Sequence, residues 1–390
     1  MAQFRSHLFS PLNIRNVRLP NRIVVSPMCL YSAINGFAND WHFVHYGKLA
    51  SGGAGLVMVE ATAVEPEGRI THGCTGLWCD NQIEPLRRIA SFIRSEGAIP
   101  GIQLAHAGRK ASSQRPWEGG EALGDEEVAR DEGPWRMVAP SAIAANPKRA
   151  VPDALEEDEM HRIVHAWGEA TRRARACGFD VMEIHGAHGY LVHSFLSGVS
   201  NRRVDAYGGS LENRMRYPLE IAQAVRREWP DDRAAFFRVS AIDGLPDSWT
   251  MADTLIFSQK LRDVGYDVID CSSGGIDTER SRSVATSLTR RPGFQVPFAE
   301  EVRQQLSMMT AAVGLIVNPK HAESILQEKR ADLICLGREL LFNPQWPLHA
   351  VLELEGENGY DIWPPQYEWG LRKRAQWAAA YRQTETQAAE

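Results

Sequence analysis

Residues 183–190, with the sequence Glu-Ile-His-Gly-Ala-His-Gly-Tyr, contain two imidazoles and one phenol within six positions. These side chains belong to His185, His188 and Tyr190, and they follow a short apolar run that is typical of a buried strand. Two imidazole N–H donors directed at one point can hold a carbonyl oxygen and stabilise enolate charge, and a nearby phenol can deliver a proton. The flanking glycines allow a sharp turn and close approach to a ligand.

Two other interpretations of this segment remain open. Barrel enzymes often bind zinc through histidines, but a catalytic zinc site needs a third protein ligand and an open position. The sequence has no His-x-His pair and offers no suitably placed Asp or Glu partner. The histidines could also be core residues with satisfied hydrogen bonds.

A thiol and a second phenol follow the first apolar run, in the segment Ser26, Pro27, Met28, Cys29, Leu30 and Tyr31. The side chains of Cys29 and Tyr31 would then lie at the carboxyl end of a strand. The alternative is a packed turn around a buried cysteine.

Two polar residues interrupt other apolar runs. Gln103 needs a hydrogen-bond partner if it is buried, and the edge of a flavin ring could supply one. Arg238 is costly inside a buried strand unless it is paired. A structural salt bridge would explain it, and so would an anionic cofactor such as the N1–O2 edge of a reduced flavin.

Two glycines and an arginine near the end of the chain predict a phosphate site. Gly314 follows the seventh apolar run, and Gly337 and Arg338 follow the eighth. In (β/α)8 barrels the loops after strands seven and eight, with a short helix, form the usual phosphate site. A glycine permits close backbone approach, and an arginine is a bidentate charged donor.

Eight short apolar runs alternate with amphipathic stretches, and this βα rhythm predicts a parallel sheet. The predicted strands are Arg22–Ser26, Leu56–Glu60, Ile99–Leu104, Val181–His185, Ala235–Val239, Val268–Cys271, Thr310–Gly314 and Leu333–Leu336. Eight such units fit an α/β fold of the (β/α)8 TIM-barrel type better than a doubly wound sheet. Because active sites of these barrels lie at the carboxyl ends of the strands, the residues above would converge.

The whole chain, residues 1–390, is predicted to be one domain, with the barrel at about 20–355. Residues 12–19 predict an N-terminal β-hairpin on the barrel floor, and Asp158–Cys177 and Leu211–Trp229 predict helices. Residues 105–157 form a long insertion after the third strand, which predicts a lid or binding loop. Residues 273–296 form an Arg- and Ser-rich loop. The aromatic-rich tail, 356–390, is expected to dock on something, at a subunit interface.

Composition excludes several classes of protein. The net charge is −6 at pH 7, which gives no sign of a nucleic-acid partner. No run is long and apolar enough to span a membrane, and residues 1–10 lack the apolar core of a signal peptide. The six cysteines are scattered without a Cys-x-x-Cys pair, which argues against a disulfide framework and a structural zinc site. We therefore expect a cytoplasmic protein.

These segments together resemble the old yellow enzyme family of FMN-dependent ene-reductases, in particular its thermophilic-like branch, which includes bacterial xenobiotic reductases. The resemblance extends from Leu8 to about Leu371. Its most specific pieces are residues 185–191 (HGAHGYL) and residues 201–213 (NRRVDAYGGSLEN). Others are residues 26–29, 59–61, 103–110 and 336–341.

The resemblance implies roles for matching positions. The flavin ring of FMN would be held by Ser26, Pro27, Met28, Cys29, Ala61, Gln103 and Arg238, and its phosphate by Gly314, Gly337 and Arg338. Cys29 would tune the redox behaviour of the flavin. His185 and His188 would bind the substrate carbonyl oxygen, Tyr31 would contact the substrate and Tyr190 would be the proton donor. Lys110 matches a position near the active-site entrance.

The resemblance also implies the reaction. NADPH or NADH would reduce the flavin and leave, and the reduced flavin would then reduce the activated C=C bond of an α,β-unsaturated carbonyl compound. Enones, quinones, maleimides and nitro compounds all remain possible substrates. A zinc-dependent hydrolase on the same fold, a barrel that only binds a ligand, and a xenobiotic or nitro-compound reductase are the alternatives.

The chain departs from the branch at two positions. Some relatives carry an arginine in a C-terminal Gln-Tyr-x-Arg-Gly segment that reaches into a neighbouring subunit, and here Trp369 replaces it. Phe342 likewise stands where relatives have an arginine. We expect a more apolar pocket rim, with Trp369 contacting substrate from a partner chain in a homodimer or homotetramer.

Overall fold

Eight parallel strands close into a barrel in chain order, and the last pairs with the first. This computed structural model describes residues 4–246, 248–277 and 289–389, with side chains to residue 378. The barrel strands, numbered one to eight below, are Ile23–Val25, Leu56–Ala63, Ile99–Ala105, Val181–Gly186, Ala234–Ser240, Val268–Ser272, Met309–Ala312 and Leu333–Leu336. The predicted (β/α)8 fold is therefore confirmed.

All eight predicted strands are present, and their ends agree with the structure to within three residues. The seventh differs at its carboxyl end, because it stops at Ala312 and excludes Gly314. Gly314 has φ 123°, a left-handed backbone conformation that leaves the strand. The predicted phosphate-binding glycine thus belongs to the loop.

The interior of the barrel is closed at its amino-terminal end by a hairpin. Strands Leu12–Ile14 and Val17–Leu19 pair in antiparallel register, as predicted. Their apolar side chains pack with the inward-facing residues Val24, Leu56 and Val181. A second, larger cluster lies between the outer faces of the strands and the surrounding helices. The floor is therefore filled, which leaves the carboxyl ends of the strands as the open face.

Helices surround the barrel. They span Asp40–Ala50, Ile83–Ser95, Asp125–Ala129, Glu157–Cys177, Leu191–Leu196, Leu211–Glu228, Met251–Val264, Val296–Leu306, Pro319–Gln327, Arg338–Phe342, Trp346–Glu355 and Pro365–Ala389. Short 3-10 turns cover Pro66–Gly68, Asp80–Gln82, Gly108–Lys110, Pro116–Glu118 and Gly356–Ile362. Within the described ranges, no helix combines the length and apolar character needed to cross a bilayer.

Both helices that the sequence predicted are present, with boundaries set by their caps. Glu157–Cys177 ends at Gly178, whose φ of 88° stops the helix in the left-handed conformation. The helix from Leu211 begins at Ser210, whose side chain accepts the Asn213 N–H.

The irregular segments differ in how they pack. The insertion at 105–157 contains the small parallel pair Val138–Ala139 and Asp153–Ala154 and one short helix. Within the loop 273–296, residues 278–288 lie outside the described part of the chain. In the tail, Tyr360 and Trp363 pack against Leu348, so part of the aromatic segment docks on the chain's own barrel.

Candidate active site

Two imidazoles and one phenol meet where the fourth strand ends. The ring centroids of His185 and His188 lie 5.2 Å apart with perpendicular planes, and those of His185 and Tyr190 lie 4.9 Å apart. In the turn that joins His185 to Tyr190, His188 and Gly189 have positive φ angles of 61° and 76°. This left-handed turn brings back toward the strand end two side chains that an extended backbone would carry away from it.

Both histidines are neutral at physiological pH. Desolvation, followed by the charge of Arg238, holds the pKa of each imidazole well below its usual range. The Ala187 N–H donates to Nδ1 of His185 at 3.3 Å, which places the His185 proton on Nε2. Desolvation raises the pKa of Tyr190, so its hydroxyl keeps its proton. These side chains therefore offer uncharged hydrogen-bond donors.

The turn that carries these groups is fixed from neighbouring elements. The His188 N–H donates to Oγ of Ser240 at 2.9 Å. Nζ of Lys110 donates to the carbonyl oxygens of His188 at 2.6 Å and of Gly275 at 2.5 Å. Desolvation lowers the pKa of Lys110 to about 7. Lys110 thus joins the loop after strand four to the loop after strand six.

A cavity of about 850 Å³ opens beside His188. It is bordered by the loops after strands six, seven and eight. Four residues that the sequence singled out as cofactor-binding line it together, namely Arg238, Gly314, Gly337 and Arg338. A side chain at Gly337 would project toward Sδ of Met28 at 3.6 Å and fill part of this space. Drug-sized ligands occupy pockets of about 300–1,000 Å³, so the volume accommodates FMN.

Polar groups at this cavity also fit FMN. The guanidinium of Arg238 borders the cavity while the side chain is only 8% exposed. Oγ of Ser26 is buried and has no hydrogen-bond partner among the described residues. A buried hydroxyl without a partner is costly, and a cofactor atom would satisfy it. The donor set therefore suits an anionic, hydrogen-bonding ring with a phosphate.

Arg238 is held in a buried charge cluster inside the barrel. Its Nε lies 3.2 Å from Oδ2 of Asp270 and donates to Oγ of Ser272 at 3.0 Å. Burial raises the pKa of Asp270 and Glu183, whereas these two carboxyls keep Arg238 charged. Gln103 donates from Nε2 to Glu183 Oε1 at 2.8 Å, so a protein carboxyl supplies one partner for this buried amide.

The segment 26–31 is positioned by a buried acid. Oε2 of Glu60 accepts the Leu30 N–H at 2.8 Å, and Oε1 of Glu60 lies 3.2 Å from Nε2 of His42. Desolvation raises the pKa of Cys29 and Tyr31, whose side chains interact, so both remain protonated. The backbone of Ala61 also contacts Cys29.

Two aromatic residues that sequence comparison singled out lie elsewhere. Trp369 is 64% exposed on the C-terminal helix, with its indole N–H donating to the carbonyl oxygen of Gln366, and Phe342 is 86% exposed. Neither lines the cavity of this chain. The role of Trp369 at a substrate site therefore stays a prediction that requires a second copy.

Sequence analysis missed several residues that the structure brings to the site. They are Glu183, Asp270, Ser272, Ser273, Gly275, Arg290, Phe294 and Gln295. A signal existed for one of them, because Glu183 precedes His185 by two positions on the same strand. Residues two apart on a strand share one face. The described residues contain no group of three or more His, Cys, Asp or Glu side chains arranged to hold a metal.

The sequence of this chain is similar to those of known flavin-dependent enzymes. The family model described as "NADH:flavin oxidoreductase / NADH oxidase family" matches residues 7–357. The NADPH dehydrogenase of Geobacillus sp. (strain WCH70) is 43% identical over 367 residues, 94% of this chain and 98% of that protein. The NADPH dehydrogenase of Geobacillus thermodenitrificans (strain NG80-2) is 43% identical over 368 residues, with the same coverage of 94% and 98%.

Solved structures of two reductases also superpose on this chain. Morphinone reductase superposes with a TM-score of 0.74 at 27% identity, covering 89% of this chain and 90% of that one. A 2-naphthoyl-CoA reductase superposes with a TM-score of 0.78 at 25% identity over 90% of this chain, which spans 53% of that protein's length. The chain therefore belongs to the NADH:flavin oxidoreductase / NADH oxidase family, whose enzymes use FMN and a reduced nicotinamide.

Proposed function

We propose that this enzyme is an NADPH-dependent ene-reductase that reduces the activated C=C bond of α,β-unsaturated carbonyl compounds. The observation that carries the proposal is the pair of neutral imidazoles, His185 and His188, whose ring centroids lie 5.2 Å apart where the fourth strand ends, with Tyr190 beside His185 and with His188 bordering the cavity. The similarity to morphinone reductase supports it.

The proposed cofactor site combines Arg238, Gly314, Gly337 and Arg338, which border the cavity, with residues at the ends of the first three strands. Ser26, Cys29, Ala61, Gln103 and Arg238 would hold the ring of FMN, together with the backbone of Pro27 and Met28. Gly314, Gly337 and Arg338 would hold its phosphate. Bound there, FMN would supply a hydride, received from NADPH, to the β carbon of the substrate.

The two histidines would bind the carbonyl oxygen of the substrate. Because both imidazoles are uncharged, each donates one N–H and neither gives up a proton outright. As hydride reaches the β carbon, the electron pair of the alkene moves toward this oxygen, and two fixed donors stabilise the enolate charge. Loss of one such donor typically costs about 10²–10³-fold in rate.

Tyr190 would complete the reaction by protonating the α carbon. Its raised pKa keeps the phenol protonated until a strongly basic carbon forms, and solvent would then return the proton. Tyr31, whose side chain interacts with Cys29, would contact the substrate. The product carries one hydrogen from NADPH and one from water.

Isotope labelling tests this proposal directly. The purified protein with bound FMN is mixed anaerobically with 4-deuterated NADPH and then with 2-cyclohexenone. We expect bleaching of the flavin absorbance, reoxidation by the enone, and deuterium at the β carbon, whereas D2O should label the α carbon. His185→Ala should slow enone reduction by about 10²-fold, and the exposed His161→Ala is the matched control. An unlabelled β carbon, or equal rates in the two variants, would refute the proposal.

A further inference from the structure

A third histidine, His193, lies one turn beyond the catalytic segment and is fully buried. His193 belongs to the helix Leu191–Leu196, which begins immediately after Tyr190. Its Nδ1 accepts the backbone N–H of Gly189 at 2.8 Å, and its Nε2 lies 2.9 Å from Oδ1 of Asp243. Both side chains are 0% exposed.

These contacts define which nitrogen of the His193 imidazole carries the hydrogen. A backbone N–H can only donate, so Nδ1 of His193 must be the unprotonated nitrogen and Nε2 must carry the hydrogen. Nε2 then faces a carboxylate oxygen, which favours this tautomer. Asp243 therefore determines which nitrogen of His193 is free to accept from Gly189.

Asp243 is itself held rigidly. Its other oxygen, Oδ2, accepts the hydroxyl of Ser197 at 2.6 Å and the N–H of Trp249 at 3.1 Å. Ser197 follows directly on the helix that contains His193, and Asp243 lies in the loop after the fifth strand. The contact therefore ties the catalytic segment to a neighbouring barrel loop.

The backbone that His193 holds, at residues 188 and 189, has a left-handed conformation. His188 has φ 61°, and a left-handed backbone is unfavourable for a residue with a side chain, because its Cβ crowds the following carbonyl oxygen. Gly189 also has positive φ, and a Cβ there would lie 2.5 Å from the carbonyl oxygen of Gly275. The next residue in the chain is Tyr190, so a shift at Gly189 would displace both flanking side chains.

We propose that Asp243 and His193 are positioning residues that fix His188 and Tyr190 for catalysis by holding the N–H of Gly189. This proposal rests on the proposed ene-reductase function. Neither residue touches the substrate. Their effect is exerted through the turn, where a misplacement of about 1 Å can cost about 10²-fold in rate.

Three substitutions separate the two ends of the imidazole. His193→Asn keeps an acceptor near the position of Nδ1 but loses the contact with Asp243. His193→Gln keeps a polar group near Nε2 but loses the acceptor for Gly189. In Asp243→Asn the side-chain amide has a single acceptor oxygen, whereas His193 on one side and Ser197 with Trp249 on the other each need an acceptor. If the amide NH2 faces His193, the hydrogen of the imidazole must move from Nε2 to Nδ1. Nδ1 can then no longer accept the N–H of Gly189.

The measurements are made on the FMN-bound protein. We expect His193→Gln and Asp243→Asn to retain FMN, to weaken binding of 4-hydroxybenzaldehyde, and to slow reoxidation by 2-cyclohexenone by about 10- to 100-fold. His193→Asn should stay within about threefold of the natural protein, because it preserves the acceptor. Tyr266→Phe, which removes a buried hydrogen bond to Ala222 in another part of the barrel, is the stability control.

A double-mutant cycle and hydrogen exchange complete the test. In a Tyr190→Phe background, the effect of Asp243→Asn on the reoxidation rate should shrink, because residues that act through one group are not additive. Full additivity, or equal behaviour of His193→Asn and His193→Gln, would overturn the proposal. Exchange of the Gly189 amide, followed by mass spectrometry, should accelerate in His193→Gln and not in His193→Asn. This readout needs no substrate, so failure of the natural protein to reduce an enone would refute the proposed function separately.

Discussion

Lys110 provides the most quantitative prediction. Its pKa lies near 7, lowered from 10.5 by desolvation and by the charges of Arg109 and Arg149. In the unfolded chain this lysine would titrate at its ordinary value. Between pH 7 and 10.5 the unfolded state therefore binds more protons than the folded state, so stability rises with pH across this window. Below pH 7 both states are protonated, and the dependence vanishes.

The magnitude follows from the size of the shift. A change of one pKa unit corresponds to about 1.4 kcal/mol, so a shift of about 3.5 units sets an upper bound of about 5 kcal/mol. Water penetration reduces this, and we expect a gain of about 2–4 kcal/mol. A neutral amine retains two N–H donors, which match the two carbonyl oxygens of His188 and Gly275. Deprotonation therefore removes the desolvation cost without breaking these hydrogen bonds.

Denaturant unfolding at pH 6.5, 8 and 9.5 measures the effect. Lys110→Met should lack this gain, so the difference in unfolding free energy between the natural protein and the variant should move in favour of the natural protein as pH rises. The matched control is Lys48→Met, at an exposed position on the helix Asp40–Ala50. If the pH profiles of the natural protein and Lys110→Met run parallel, Lys110 is not desolvated as the structure indicates.

Three further predictions concern the site. Tyr190→Phe should slow reoxidation by an enone by about 10²-fold while leaving reduction by NADPH within a few-fold, as stopped-flow absorbance would show; equal slowing of both steps would contradict its role as proton donor. Gly337→Val should weaken FMN binding at least about tenfold in a fluorescence titration, because its side chain would enter the cavity. Gly370→Val should not, because a Cβ at that position would meet no atom within 4 Å. Trp369→Ala should change the ratio of kcat/KM values across an enone panel if a partner chain contributes it; an unchanged ratio would rule that out.

The fold could be predicted from the sequence because the apolar pattern of the buried strands is strong. Each barrel strand is buried on both faces, so it appears as a near-continuous apolar run such as residues 56–59 at the start of the second strand. The glycine at position 178 marked a helix end for the same local reason that the structure shows, a left-handed φ. Loop conformation carries no such periodic signal, so the packing of Arg109 and Lys110 in the long insertion was not foreseen.

The candidate site likewise contains residues that the sequence identified and residues that only the structure shows. His185, His188 and Tyr190 were identified because their types and spacing are unusual at a strand end. Asp243 was missed, because an isolated carboxyl in the sequence is most often solvated and only the barrel shows that it faces an imidazole. Side chains that position others become visible only with the contacts that they make.

Arg238 links the two halves of the proposed site electrostatically. The guanidinium stays charged, because Asp270 and Glu183 raise its pKa against the effect of desolvation, whereas burial raises the pKa of both acids and so disfavours their ionised forms. The cluster therefore presents positive charge toward the cavity, which suits an anionic cofactor. Desolvation, and after it the same charge, lowers the pKa of His185 and His188. One buried arginine thus favours an anion on the cofactor side and adds to the desolvation that keeps the neighbouring imidazoles neutral, as required for donors that bind an oxygen atom without protonating it.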